Sequence, residues 1–281
     1  MRNKEKEIVC LNGKFLLQEE AKVSAISPGF LYGWGLFETM RAYNGKIVYL
    51  DAHLKRIKEG SLAIAIKFNY SLSKLTHLIE ETIRINGFKD TYIRVTLWKD
   101  VLDTGLLILV KKYQPYPVQK YKKGFSVTIS SLSQNEYSFL AKIKTTNRLL
   151  YELSLNEASA KGLDEALILN SRGYVCEAAR SNIFLVKDSK LFSPSLDCGC
   201  LDGVTRNVVF ALAKVHRIKA YEGKFTIQDL LGSDEAFLTN SLMGVMPLAF
   251  AQGKQIGKGV KYFKLAKFFI EKYRHLLKDG T

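Results

Sequence analysis

Short apolar runs alternate with turn signals over residues 7–49, as in IVCLNGKFL and MRAYNGKIVYL. The pairs Asn12-Gly13 and Asn44-Gly45 are hairpin signals, because these residue types accept the positive φ of a tight turn between antiparallel strands. The period then changes. Asp51 reads as the cap of a helix carrying His53, Leu54, Arg56 and Ile57, and a second helix is predicted over about Leu75–Ile85. TYIRVTLW and GLLILVKKY return to strands, so residues 1–112 predict an N-terminal α+β domain. The Tyr- and Pro-bearing stretch that follows fits neither period, and 113–123 reads as a connector. Beyond it, FSVTIS, DEALILN, YVCEA, NIFLV and KLFSP predict strands. Val208, Val209, Ala211, Leu212 and Val215 predict one buried helical face, and a closing amphipathic helix spans roughly 261–277. Residues 124–281 are therefore expected to form a C-terminal α/β domain. The fold class predicted is α+β: two α/β domains with a cleft between them, a usual place for a ligand.

Composition narrows the function classes. Lys and Arg number 42 against 27 Asp and Glu, a formal charge of +15. The lysines are scattered, and the densest run (Lys111, Lys112, Lys120, Lys122, Lys123) falls at the connector, so no nucleic-acid partner is expected. Such a surface suits a small anionic substrate. Cys10, Cys176, Cys198 and Cys200 make no secreted disulfide framework in a chain of 281 residues. Cys198-Gly199-Cys200 has no second pair or His cluster beside it, so the expectation is buried thiols and no metal. The start MRNKEKEIVCLNG is charged and has no apolar signal-like core, and no apolar run is long enough to span a bilayer. The expected setting is cytoplasmic, without a membrane partner.

One constellation carries chemistry. Lys144 is followed by Glu177, which opens EAARSNIF between Cys176 and the apolar NIFLV run, and then by the turn and helix start GVTR at 203–206. An amine, a buried carboxylate and a helix N-terminus are what pyridoxal phosphate needs. Its aldehyde condenses with a lysine amine, and its pyridine nitrogen stays protonated against an anion, which makes the ring an electron sink. Its phosphate takes backbone N–H groups and a hydroxyl where a helix begins.

Six segments then occur in a telling order: GFLYGWGLFETMR (29–41), HLKR (53–56), IKTTNRL (143–149), DEALILNSRGYVCEAARSNIF (164–184), LDGVTR (201–206) and DEAFLTNSLMGVMPL (234–248). On these the chain resembles the fold-type IV pyridoxal-phosphate enzymes, the class IV aminotransferase family. That group includes branched-chain aminotransferases, D-amino-acid aminotransferases and aminodeoxychorismate lyases. The resemblance implies a D-amino-acid-aminotransferase-like fold with the cofactor in the cleft, and a homodimer. It implies that Lys144, in the C-terminal domain, is the Schiff-base lysine and later a proton shuttle. As a shuttle it must be neutral, a form favoured by burial and a nearby cation. Glu177 matches the carboxylate facing the pyridine nitrogen. Arg56, Val204, Thr205 and Ser241 match the phosphate ligands, whereas His53 and Arg206 match supporting positions.

Three places resemble the lyases in particular. Thr39 puts a hydroxyl two residues after Phe37, where branched-chain enzymes usually have glycine. Lys144 is followed by Thr-Thr-Asn-Arg-Leu, with Leu149 where those enzymes carry tyrosine, and TNSLMGVMPL has the lyase form. Glu38 and the SPGF segment depart from it. The implied reaction is conversion of 4-amino-4-deoxychorismate to p-aminobenzoate and pyruvate, a step of folate synthesis. Lys144 and Thr39 are then catalytic, and Arg94, Arg148 and Asn240 are candidate ligands for substrate carboxylates. A branched-chain or D-amino-acid aminotransferase is the alternative, separated at Thr39, Asn147 and Asn240.

Overall fold

A computed structural model describes residues 7–279, so the charged start at 1–6 lies outside the described residues. The described chain divides into two compact units. One holds the chain up to Gln114 together with Ile143–Asn147, and the other holds Pro115–Lys142 and Arg148–Asp279.

The first unit is an antiparallel sheet with its two longer helices on one face. Its strands are β1 (Ile8–Leu11), β2 (Lys14–Leu17), β3 (Gly35–Tyr43), β4 (Lys46–Ile47), β5 (Thr91–Lys99) and β6 (Thr104–Lys112), in the order β2-β1-β6-β5-β3-β4. Both predicted hairpin turns are present, with Asn12 and Asn44 at positive φ. A short helix α1 (Pro28–Tyr32) precedes β3. Helices α2 (Leu50–Ala63) and α3 (Leu72–Asn86) cover the sheet. α3 forms because Ser71 caps its start, Gly87 closes it in the left-handed conformation, and Leu75, Leu78, Ile79, Thr82 and Ile83 bury one stripe. Leu36, Met40, Ile93, Val95, Leu97, Ile108 and Val110 meet that stripe as the core. The cap of α2 is Tyr49 in the left-handed region rather than Asp51. Asp51 instead lies in the first turn, where its charge favours the helix dipole.

The second unit is a mixed sheet flanked by helices. It contains α4 (Val118–Lys123), β7 (Phe125–Gln134), α5 (Leu149–Ala160), β8 (Glu165–Asn170), β9 (Val175–Ala178), β10 (Asn182–Lys187), β11 (Lys190–Pro194), α6 (Val204–Val215), β12 (Ala220–Gly223), α7 (Ile227–Leu231), β13 (Glu235–Asn240), β14 (Gly244–Ala251), β15 (Lys254–Gln255) and α8 (Leu265–Asp279). The strand order is β12-β11-β10-β13-β14-β7-β8-β9, with β15 beside β14. Phe184, Phe237 and Phe269 stack through its core, and α6 packs on α8 and β13. No helix among the described residues is long and apolar enough to cross a membrane. All four cysteines are buried and free, and no described group of His, Cys, Asp and Glu could hold a metal ion.

Three sequence expectations change. The 113–123 stretch is not only a connector. Its second half is helix α4, and Tyr121 Oη donates to Met243 O at 2.8 Å within the second unit. On α6 the buried stripe runs through Thr205, Val209, Leu212 and Ala213, whereas Ala211 and Val215 face outward. Two neighbouring rows on that helix are both apolar, and periodicity cannot choose between them. Finally, Lys144 belongs with the first unit and not with the C-terminal stretch. β4 pairs only with the end of β3, at Ala42 and Tyr43. Residues 143–147 take up the other end of that edge: Phe37 N donates to Lys144 O at 3.0 Å, Thr146 N donates to Gly35 O at 2.8 Å, and Leu36 bridges Thr145.

One buried acid in the second unit gives a measurable signature. Glu165 on β8 is 3% exposed, accepts from Ser181 Oγ at 3.0 Å through Oε2, and has no partner for Oε1. Burial pushes its carboxyl up from 4.5 to about 7, opposed by Ser181, Arg180 and backbone N–H groups. Its contribution to stability is therefore full below pH 4.5 and is lost as pH rises through about 7. By linkage the loss is about 3 kcal/mol. Glu165→Gln should remove this slope. Urea unfolding at pH 5 and pH 8 reads it directly, and parallel pH dependences for parent and variant would rule it out.

Candidate active site

In the first unit the site is one face of β3 and β5. Alternation along β3 turns Leu36, Glu38, Met40 and Ala42 toward the helices, leaving Phe37 and Thr39 on the opposite face. Thr39 stands opposite Arg94 in the β3–β5 register. The Arg94 guanidinium carbon lies 3.9 Å from the centre of the Phe37 ring, and Lys144 Nζ lies 4.6 Å from it. Lys144 and Arg94 are thus gathered around one aromatic ring, and Thr39 lies on the same face of β3, opposite Arg94. In the sequence Phe37 served only as a landmark. Lys144 is half-buried rather than buried, because its segment runs along a sheet edge.

Behind that face, Glu38 is 1% exposed and paired on both oxygens. Arg56 on α2 grips it as a fork, Nε to Oε1 and Nη2 to Oε2, both at 2.7 Å. His53 Nδ1 meets Oε2 at 2.7 Å. Burial would raise the Glu38 carboxyl, but Arg56 and His53 together outweigh it and lower it to about 2. Burial also lowers the His53 pKa, against the pull of Glu38. His53 thus takes up a charge less readily than a free imidazole, and its Nδ1 faces the carboxylate. The HLKR and FET motifs meet in this cluster, which fixes where the Arg56 guanidinium points.

In the second unit, Glu177 on β9 is 5% exposed. Its Oε1 accepts from Tyr151 Oη at 3.0 Å, and its Oε2 accepts from Leu201 N at 3.1 Å and Asn182 Nδ2 at 3.4 Å. Asn182 Nδ2 also reaches Leu201 O at 2.8 Å, tying β10 to the approach of α6. The N-cap of α6 is Gly203, without a side-chain cap. A Cβ there would meet Asn182 Oδ1 at 1.9 Å, so any larger residue would have to displace the Asn182 side chain. Two residues on, Thr205 is 2% exposed and its hydroxyl has no hydrogen-bond partner. A buried orphan hydroxyl in the first turn of a twelve-residue helix, beside the backbone N–H groups of Val204 and Thr205, is an anion cradle. These donors fit a phosphate, and a carboxylate held by three donors fits a protonated pyridine. Pyridoxal phosphate suits both features.

The remaining candidates are placed differently from one another. Ser241 lies in the turn between β13 and β14. Asn240 shapes that turn: its Oδ1 accepts from Leu242 N at 3.0 Å and Met243 N at 2.9 Å. Its Nδ2 donates to Arg180 O at 3.2 Å. Arg148 Nη2 donates to Ala179 O at 2.5 Å, and its guanidinium lies 3.7 Å from the centre of the Tyr151 ring. Both thus brace the turn after Glu177. Arg206 is a structural residue, tied to Pro194 O, Glu222 and Asp202. Sequence reasoning missed Tyr151, which sits two residues after Leu149 on α5 with no motif to mark it.

A family model described as amino-transferase class IV matches residues 35–249. An aminodeoxychorismate lyase of Bacillus subtilis (strain 168) is 27% identical over 92% of this chain and 92% of its own length. A branched-chain-amino-acid aminotransferase of Pseudomonas aeruginosa is likewise 27% identical, covering 90% of this chain and 87% of its own. Among solved structures, the T.th. branched-chain amino acid aminotransferase with pyridoxamine 5'-phosphate superposes with a TM-score of 0.91 at 27% identity, covering 98% of this chain and 95% of that one.

Proposed function

The chain belongs to the class IV aminotransferase family of pyridoxal-phosphate enzymes, and from that premise we propose that it is an aminodeoxychorismate lyase. The observation that carries the reading is Thr39, a hydroxyl on the Phe37 face, opposite Arg94 and on the face where Lys144 lies. Bound pyridoxal phosphate supplies an aldehyde for the substrate amine and a protonated ring that takes up charge. Glu177 holds the proton on the ring nitrogen. Arg56, Ser241, Thr205 and the first N–H groups of α6 bind the phosphate. Lys144 Nζ takes the proton from C4 of the substrate, and Thr39 Oγ1 passes a proton to the enolpyruvyl oxygen as it departs. Arg94 holds a substrate carboxylate by charge. Pyruvate and p-aminobenzoate leave, and Lys144 is restored. A homodimer in the cytoplasm belongs to the same proposal.

The test is to supply aminodeoxychorismate, made in situ, with no keto acid present. Formation of p-aminobenzoate and pyruvate in equal amounts is the expected result. Absence of product, together with turnover of leucine that requires 2-oxoglutarate, would favour the second reading. That reading is a branched-chain aminotransferase, and its support is that such enzymes predominate among the similar proteins. Within the lyase reading, Thr39→Val should lower turnover roughly 100-fold or more, the range of a lost proton donor. Cofactor affinity should stay unchanged, because Thr39 is not among the phosphate or pyridine ligands. Equal turnover in parent and variant would remove Thr39 from the reaction.

A further inference from the structure

We infer that Tyr151 is a positioning residue for Glu177, holding that carboxylate charged and aimed so that it can keep a proton on the cofactor's ring nitrogen. The inference rests on the assignment of Glu177 to that nitrogen and adds a residue that no motif contains. Its first support is the division of labour on the carboxylate. Oε2 takes Leu201 N and Asn182 Nδ2, whereas Oε1 takes the Tyr151 hydroxyl. An ionised carboxylate only accepts, so Tyr151 is the donor. Gln134 Nε2 in turn donates to Tyr151 Oη at 2.8 Å. The result is a directed chain from Gln134 on β7 through Tyr151 on α5 to Glu177 on β9.

The second support is that Tyr151 stays a donor. Burial and the charge of Glu177 raise its phenol far above the usual value, so it does not ionise in any working range. The other titratable groups around it do not reverse this. Arg148 lies over the ring and pulls the phenol down, but less than burial and Glu177 push it up, and the buried Cys176 thiol is itself raised. The third support is rigidity. Arg148 stacks on the ring and its Nη2 is tied to Ala179 O, two residues past Glu177, so ring and strand end are fixed to each other. A hydrogen bond to the charged form of an acid favours that form. Removing it raises the Glu177 carboxyl, so the proton shared with the ring nitrogen shifts toward the carboxylate, while the packing is kept.

The experiment uses holoenzyme reconstituted with pyridoxal phosphate carrying ¹⁵N in its ring, for the parent and for Tyr151→Phe, Tyr151→Leu, Gln134→Leu and Glu177→Gln. The ¹⁵N shift is followed against pH, and the cofactor dissociation constant is measured by equilibrium dialysis. Tyr151→Phe keeps the ring under Arg148 and loses only the hydroxyl. Its ring ¹⁵N signal should lie measurably nearer the unprotonated form, and it should bind the cofactor roughly 10-fold more weakly, the scale of one hydrogen bond to a charged group. Gln134→Leu should shift both readings the same way by less. A Tyr151→Phe titration that overlays the parent's, with only Tyr151→Leu differing, would mean that Tyr151 merely packs, and the inference would fall. If Tyr151→Phe does not fold, an unchanged titration in Gln134→Leu counts against the inference and one shifted toward the unprotonated form supports it. Glu177→Gln separates the two levels. If it titrates like the parent, Glu177 does not face the nitrogen and the underlying assignment fails. If it shifts while Tyr151→Phe does not, only the role of Tyr151 is lost.

Discussion

Lys144→Ala should abolish turnover, by at least about 10⁴-fold, because one substitution removes both the covalent partner of the cofactor and the proton carrier. The fold should survive. What pins this segment to β3 is backbone, the Lys144 carbonyl accepting from Phe37 N and Thr146 N donating to Gly35 O, and alanine preserves both bonds. The variant should lack the visible absorbance of the lysine-bound cofactor and resist labelling by borohydride, while its circular dichroism and its urea midpoint without cofactor match the parent. Added methylamine should restore a small part of the rate by standing in for the missing amine. A variant that kept both colour and turnover would show that another amine carries the chemistry, and the assignment built on IKTTNRL would be lost.

Arg56→Ala should have the largest effect on stability, about 3–5 kcal/mol at neutral pH, as is usual when one partner of a buried ion pair is removed. Arg56 is the main reason Glu38 is a carboxylate at all in a site that is 1% exposed. The pH dependence makes the test specific. In the parent, the Glu38 carboxyl is lowered from 4.5 to about 2. Its contribution is therefore present above pH 4.5 and lost as pH falls toward 2. Without Arg56, burial dominates and the carboxyl is raised. The contribution of Glu38 in the variant then falls as pH rises through the neutral range, opposite to the parent at acid pH. Urea unfolding of the cofactor-free protein between pH 4 and pH 8 checks this. A variant whose deficit is the same at every pH would show that Glu38 does not sense Arg56.

The sequence made much of this legible because local rules agree with the fold where the signals are strong. The Asn-Gly turns, the stripe of α3 and the strands from FSVTIS to KLFSP are set by neighbours in the chain, so their periodicity is visible without coordinates. The buried setting of Glu177 could be read from the apolar residues around it, and the α6 cradle from the GVTR helix start with Val204 and Thr205. What stayed hidden depends on partners far along the chain. Nothing in IKTTNRL reveals that its backbone completes an edge of β3, because an isolated bridge leaves no periodic trace. Read by type, Arg148 and Asn240 are ligands for anions, and type does not show that each also holds a carbonyl of the turn after Glu177. A side chain's type gives its donors but not their destination. Tyr151 shows the same limit, since a tyrosine on a helix is ordinary until its hydroxyl is seen on Glu177.

The path of the chain through Ile143–Asn147 has a consequence for how the protein is made. The polypeptide leaves the first unit after Gln114, runs through β7, returns for five residues that include Lys144, and leaves again at Arg148. A ribosome that has released only the first 114 residues has therefore not yet delivered everything the first unit needs, and the edge of β3 near Leu36 waits for its cover. The halves cannot be cut apart at the 114/115 junction and expected to behave as independent modules, nor exchanged between relatives at one crossover point. The residue that would do the chemistry arrives on the strip of backbone that completes the first unit, so a nascent chain too short to finish that sheet is also too short to be active.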